Sequence, residues 1–146
     1  MRPLSFALVL LLAAPLAACA SGPEAGPASG STDDERRAVD LPATVTLAPG
    51  ERILASGPDL PVTFADVTED SRCPEGVTCV WAGRAVVQIE VGDGEAPTIA
   101  LEVGGESRDA RGLRLTAEAL DPYPRAGAAT RAEEYRLRLR IEDAGS

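Results

Sequence analysis

At 146 residues the chain has length for one modest domain core and not for two. Its 14 cationic residues are all arginine and face 23 acidic ones, a formal net charge of −9, which makes nucleic acid a poor partner. With no histidine, lysine or asparagine anywhere, the Ser-His-Asp, Cys-His and Ser-Lys nucleophile arrangements are excluded.

In chain order, Arg2 supplies a positive start, and Leu4 to Ala14 form an apolar run too short to span a bilayer. Small residues follow it, the pattern of a secretion signal. Directly after this run, Leu16-Ala17-Ala18-Cys19 resembles the lipobox of bacterial lipoproteins. That resemblance implies cleavage before Cys19, loss of residues 1–18, and a diacylglyceryl group on the Cys19 thiol. The membrane is then the first expected partner, and the location is the cell envelope. Ala20, not Asp, follows the cysteine, which in a diderm host directs export to the outer membrane, facing the periplasm. Residues 19–40 then read as the lipidated cysteine and a tether. They are rich in Ala, Gly, Pro, Ser and acid, with Val39 the one β-branched aliphatic side chain and no aromatic, too little apolar surface to offset ordering. A coil of that length spans roughly 25 Å.

The domain is expected over residues 41–146, where the hydrophobic pattern has a period of two. Thr44 to Leu47 and Arg52 to Leu54 are short strand candidates separated by the turn pair Pro49-Gly50. Val62 and Phe64 flank Thr63, Val87, Ile89 and Val91 alternate with Gln88 and Glu90, and Ile99, Leu101 and Val103 alternate with Ala100 and Glu102. Leu113 and Leu115 flank Arg114, and from Tyr135 to Ile141 every even position is arginine and every odd one apolar or aromatic. Gly92-Asp93-Gly94 and Gly104-Gly105 punctuate the series as hairpin turns do. Helix is conceivable only over Ala128 to Glu134. About seven short strands predict an all-β fold, an antiparallel β-sandwich immunoglobulin-like in outline, with one disulfide-closed loop.

That loop follows from the cysteine count. Three cysteines less a lipidated Cys19 leave Cys73 and Cys79, a pair in an oxidising compartment. Zinc would lack further thiol or imidazole ligands, and a redox disulfide uses a tighter Cys-x-x-Cys spacing at a helix start, so neither a metal nor a cofactor is expected. A ring this small stabilises by roughly 2–3 kcal/mol, enough to shape a turn. Nearby, Asp66, Glu69, Asp70 and Glu75 cluster in sequence. They read as solvated loop charges, with a carboxylate acid/base pair or a calcium site as the sharper alternatives. The Arg136, Arg138, Arg140 stripe reads as a strand face neutralised by cross-strand acid, with anion binding as its alternative.

Asp70-Ser71-Arg72-Cys73-Pro74, Cys79-Val80-Trp81-Ala82-Gly83 and the later Leu120-Asp121-Pro122-Tyr123-Pro124 resemble a family of uncharacterised small bacterial secreted proteins and lipoproteins. In that family a DSRCP…CVWAG segment precedes one strand and a PYP segment precedes the last. The resemblance spans Val62 to Ile141 and implies one secreted domain, without an activity.

Physically, Asp70 and Ser71 suit a turn, Pro74 fixes φ, and Gly76 permits a positive φ. In an extended segment Trp81 shares a face with Cys79, where its indole covers the bridge as a Trp does in immunoglobulin domains. Gly83 allows a bulge or close approach, and Arg72 and Arg84 stand ready to pair with Asp70 or Glu75. Beside this structural role, Arg72, Glu75, Val77, Trp81 and Arg84 form a possible recognition surface. Alternatively, Pro74 to Thr78 act as a protease-inhibitor loop with Val77 entering the specificity pocket. A carboxylate-based envelope enzyme is the third option. The sequence reading is therefore a membrane-anchored envelope lipoprotein with a structural or binding role, an envelope protein as its possible partner, and no catalytic activity expected.

Overall fold

The computed structural model describes residues 37–145. The expected signal, the expected lipidation site Cys19 and most of the expected tether lie outside the described residues. Nine strands run β1 (Ala38–Val39), β2 (Ala43–Leu47), β3 (Arg52–Ala55), β4 (Leu60–Asp70), β5 (Ala85–Val91), β6 (Thr98–Glu102), β7 (Arg108–Ala110), β8 (Leu113–Asp121) and β9 (Arg136–Asp143) among the described residues. The fold is an all-β sandwich. One sheet has the order β1-β3-β4-β5-β6 and the other β2-β9-β8-β7. Every pairing is antiparallel except that of β1 with β3.

The alternating pattern explains the layers. Val87, Ile89 and Val91 of β5, Leu137, Leu139 and Ile141 of β9, and Leu113 and Leu115 of β8 all point inward and are fully buried, meeting Phe64, Val62, Ile53 and Leu47. Successive side chains on a strand alternate between faces, so each strand contributes one face to the core. Bulges then reset the phase. In β4 the register shifts between Phe64 and Asp66 and again between Val67 and Glu69, and in β8 it shifts between Ala117 and Ala119. After its bulge β8 turns even-numbered Leu120 inward, where Leu113 and Leu115 had been odd.

Four features differ from the sequence reading. The first sheet begins inside the stretch assigned to the tether, because Ala38 and Val39 pair with Leu54 and Ala55. The helix reduces to a 3₁₀ turn over Ala132–Glu134. β4 and β8 continue past their bulges to Asp70 and Asp121, and β7 is an edge strand of three residues with no inward side chain fully buried.

These extensions build one end of the sandwich. Asp70 pairs with Ala85 across β4 and β5, and Asp121 with Arg136 across β8 and β9. The loops over residues 71–84 and 122–135 therefore leave the two sheets at the same pole. They are joined there by a parallel bridge between Glu75 and Arg125.

Candidate functional site

The loop over residues 71–84 is held along both limbs before the disulfide closes it. Ser71 N–H donates to the Arg84 carbonyl at 2.8 Å, and Cys73 N–H donates to the Ala82 carbonyl at 3.0 Å. Arg84 N–H donates in return to Ser71 Oγ at 3.1 Å. Gly83 makes this closeness possible: its φ is +67°, and a Cβ there would stand 1.7 Å from the Ser71 carbonyl oxygen. Beyond these ties the Cys73–Cys79 disulfide pins the tip, with Cα atoms 5.9 Å apart.

Arg72 turns inward and locks this loop to the other. Its Nε and Nη2 donate to the two carboxylate oxygens of Asp70 at 2.8 and 2.7 Å, the bidentate geometry that guanidinium planarity favours. Nη1 donates to the Leu120 carbonyl at 2.6 Å and Nη2 to that of Pro122 at 3.1 Å, while the guanidinium lies 4.9 Å from the centre of the Tyr123 ring. The Tyr135 hydroxyl donates to Asp70 Oδ2 at 3.0 Å. Both charged side chains are about one-tenth exposed, 10% for Arg72 and 9% for Asp70. Burial alone would raise the Asp70 carboxyl, but hydrogen bonds from Arg72 and Tyr135 and the adjacent cation outweigh it and hold it below its ordinary value. The hydrogen bonding that Arg72 donates to Asp70 is the main cause raising Arg72, and burial is the main cause raising Tyr135. Glu75 N–H donates to the Pro124 carbonyl at 2.9 Å, completing the contact between the DSRCP and PYP segments.

On this clamped base the apolar tip faces outward. Val80 is 87% exposed and Trp81 81%, with Val77 and Tyr123 also exposed. The placement of Trp81 over the disulfide is thus overturned. The chain bends at Val80 and Trp81 and becomes strand only at Ala85, so the two-residue face rule does not apply there.

Arg72 does not belong to the surface: it is an internal clamp, committed to Asp70 and two carbonyls. Arg84 pairs with Glu69 at 3.0 Å, not with Asp70 or Glu75. Glu75 and Val77 are exposed as a surface role requires, Glu75 lying 3.9 Å from Arg125. Val80 and Tyr123 are additional exposed apolar groups. The sequence showed Val80 beside Trp81, but its outward direction depends on the bend.

The neighbouring carboxylates are individually engaged. Asp66 accepts from the Val67 N–H, Glu69 pairs with Arg84 and Asp70 with Arg72. Among the described residues no group of three or more His, Cys, Asp or Glu side chains gathers where a metal ion could be held. Elsewhere Glu142 and Asp143 line a surface depression of about 200 Å³ with Leu41, Pro42 and Arg114, and Glu142 is already bound by Arg140 at 2.8 Å. Of the arginine stripe, Arg138 meets Glu118 across the strands at 3.2 Å, while Arg140 uses Glu142 on its own strand. Pro74 to Thr78 turns at Gly76, whose φ is +83°, so this segment is not the extended ribbon on which an inhibitor loop relies.

No protein-family model, curated protein or solved structure matches the chain.

Proposed function

We propose that the chain is a lipoprotein of the cell envelope, anchored in the membrane through Cys19, whose sandwich serves as a binding module without a catalytic step. The observation that carries the binding role is the 81% exposure of Trp81 beside an 87% exposed Val80. A large apolar side chain fully presented to water on a braced loop loses little conformational entropy on contact, and aromatic anchors of this kind dominate interface energetics. The lipobox-like residues before Cys19 support the anchor, and the odd cysteine count supports it independently, since Cys73 and Cys79 pair with each other.

Metabolic labelling with a fatty acid tests the anchor: the wild-type chain takes the label and Cys19→Ser does not. A photo-crosslinking residue in place of Val80, activated in cells, tests the contact surface. Adducts lost on Trp81→Ser support it, and a tip that yields no adduct refutes it.

A further inference from the structure

We propose that the outer edge of β2 pairs antiparallel with the same edge of a second copy, joining the β2-β9-β8-β7 sheets of the two molecules into one. The contact uses none of the loop residues and does not rest on the lipoprotein reading. In an antiparallel ladder each residue turns its N–H and its C=O to one side, and successive residues alternate sides. Ala144 N–H donates to the Gly112 carbonyl at 2.8 Å, and Asp143 stands opposite Leu113, so the even-numbered residues of β9 serve β8. Its odd-numbered Leu137, Leu139 and Ile141 therefore serve β2, opposite Leu47, Val45 and Ala43. Thr44 and Thr46 are left with N–H and C=O directed away from the sheet. Ala48, next in that outward series, has the same phase: its N–H is bound by Glu51 Oε2 at 2.8 Å and its carbonyl by Glu51 N–H at 2.9 Å. Among the described residues Thr44 and Thr46 have no backbone partner on that side.

Native sheets blunt their edges with short strands, charge, proline or bulges. β1 has two residues and β7 three, and β6 ends on Glu102, whose carbonyl already accepts from Gly105 N–H. β2 has five residues, Ala-Thr-Val-Thr-Leu, in unbroken register with β9 and without a charge. In a chain of net charge −9 this is a line along which two copies can meet. The cations of β9 behind it are each paired, Arg138 with Glu118 and Arg140 with Glu142. Of the bordering acids, Glu51 is paired with Arg37, and Asp40 stands beyond Pro42, outside the paired span.

The ends of this edge select its occupant. Pro42 has no N–H to give at one end, and Ala48 is capped by Glu51 at the other. A foreign peptide gains affinity by running along an edge, and here it reaches only Thr44 and Thr46. Their own antiparallel image uses both in full: Thr44 exchanges N–H and C=O bonds with Thr46 of the second copy, and Thr46 with its Thr44, about a two-fold axis at Val45. Sliding the pairing either way sets Thr46 opposite Pro42 or Thr44 opposite the capped Ala48, and leaves outward groups unpaired. The contact is isologous and closed, so it ends at a dimer. On the outer face it sets threonine against threonine, a favourable cross-strand pair, and on the inner face Val45 meets Val45 beside the partly buried Ala43. A contact confined to one short edge falls below the roughly 800 Å² per partner of stable interfaces, so the dimer belongs to the weak class.

The experiment uses the full chain with Cys19→Ser, so that neither a lipid nor a disulfide at that position drives association. Sedimentation equilibrium is run up to about 1 mM, where weak dimers populate, and amide exchange is followed by NMR across the same range. Pairing gives a concentration-dependent dimer in which the Thr44 and Thr46 amides exchange at least about tenfold more slowly than in the dilute chain. Thr46→Pro removes an outward donor and no bond to β9, and should leave a folded monomer. Should that variant fail to fold, Thr44→Lys with Thr46→Lys keeps the backbone and sets like charges across the seam, with the same loss of the dimer. A chain that stays monomeric overturns the proposal, and so does protection of Thr44 and Thr46 that is independent of concentration, which assigns the cover to the chain itself. A dimer that protects Thr98 and Ala100 instead assigns the contact to β6, and one that only shifts Trp81 emission to the blue assigns it to the loop tip; either overturns the β2 edge.

Discussion

Replacing Arg72 with methionine removes the guanidinium while keeping an apolar stem of similar reach, and so isolates what the clamp contributes. Asp70 would retain the Tyr135 hydroxyl and the backbone N–H of residue 72 but no cation, and the carbonyls of Leu120 and Pro122 would lose the guanidinium as donor. Deleting one partner of a buried ion pair costs about 3–5 kcal/mol, because the other charge stays desolvated. With Arg72 10% and Asp70 9% exposed, some water reaches both groups, and the lower end, about 3 kcal/mol, is the expected loss. In a domain of this size that lowers Tm by about 12–20 °C, read by circular dichroism of the full chain. Asp70→Asn and the double variant complete a cycle in which the two single losses do not add. The acid limb supplies a second reading. The folded Asp70 carboxyl lies below its ordinary value. Its stabilisation is therefore complete above the unfolded value near about pH 4 and is lost as pH falls through the folded one. The gap between wild type and variant should close over that acid range. A loss under about 1 kcal/mol, the range of exposed pairs, would refute the clamp.

Tyr135→Phe removes the hydroxyl that donates to Asp70, which lets the carboxyl protonate at higher pH. Stability at neutral pH should fall by about 1–2 kcal/mol and the acid unfolding midpoint should rise, both measured by fluorescence titration. Gly83→Ala forces an L side chain to a φ of +67° and against the Ser71 carbonyl, whereas Gly76→Ala meets only the unfavourable φ, with open space around its Cβ. Urea denaturation should show a loss of roughly 1–3 kcal/mol for Gly76→Ala and a larger one for Gly83→Ala. Cys73→Ser with Cys79→Ser should cost roughly 2–3 kcal/mol by the same measurement, and loss of folding altogether would mean that the bridge holds more than its loop.

Strands such as β5 and β9 were legible because each buries one face without interruption: Val87, Ile89 and Val91, then Leu137, Leu139 and Ile141, fall on alternate positions. The far halves of β4 and β8 were not, since bulges change the phase partway, and a reader following odd positions through Leu113, Leu115 and Ala117 loses the strand before Leu120. β1 and β7 are too short for any period to show. At the site, the disulfide followed from counting cysteines, and the need for Gly83 from its place after the Trp. The partners of Arg72 did not, because two of them are backbone carbonyls 48 and 50 residues away, and no side-chain pattern marks a carbonyl. Trp81 was misplaced for a local reason: alternation of faces holds only in extended chain, and the segment bends at that residue.

The same geometry divides the DSRCP…CVWAG unit into an inward half that sustains the fold and an outward half free to do something else, and a substitution at Trp81 separates them. Arg72, Asp70 and Gly83 are each committed to contacts within the protein, so changing them lowers stability and affects the tip only through the loop beneath it. Trp81 is 81% exposed and makes no hydrogen bond within the described residues. Trp81→Ser should therefore change the unfolding free energy by less than about 0.5 kcal/mol. It should nonetheless abolish the contact at the tip, read as loss of the adduct from position 80. If Trp81→Ser instead destabilises the domain by as much as Arg72→Met does, the indole is part of the core and the division fails. If stability and adduct both survive, the fold is as described and the contact at the tip does not depend on Trp81.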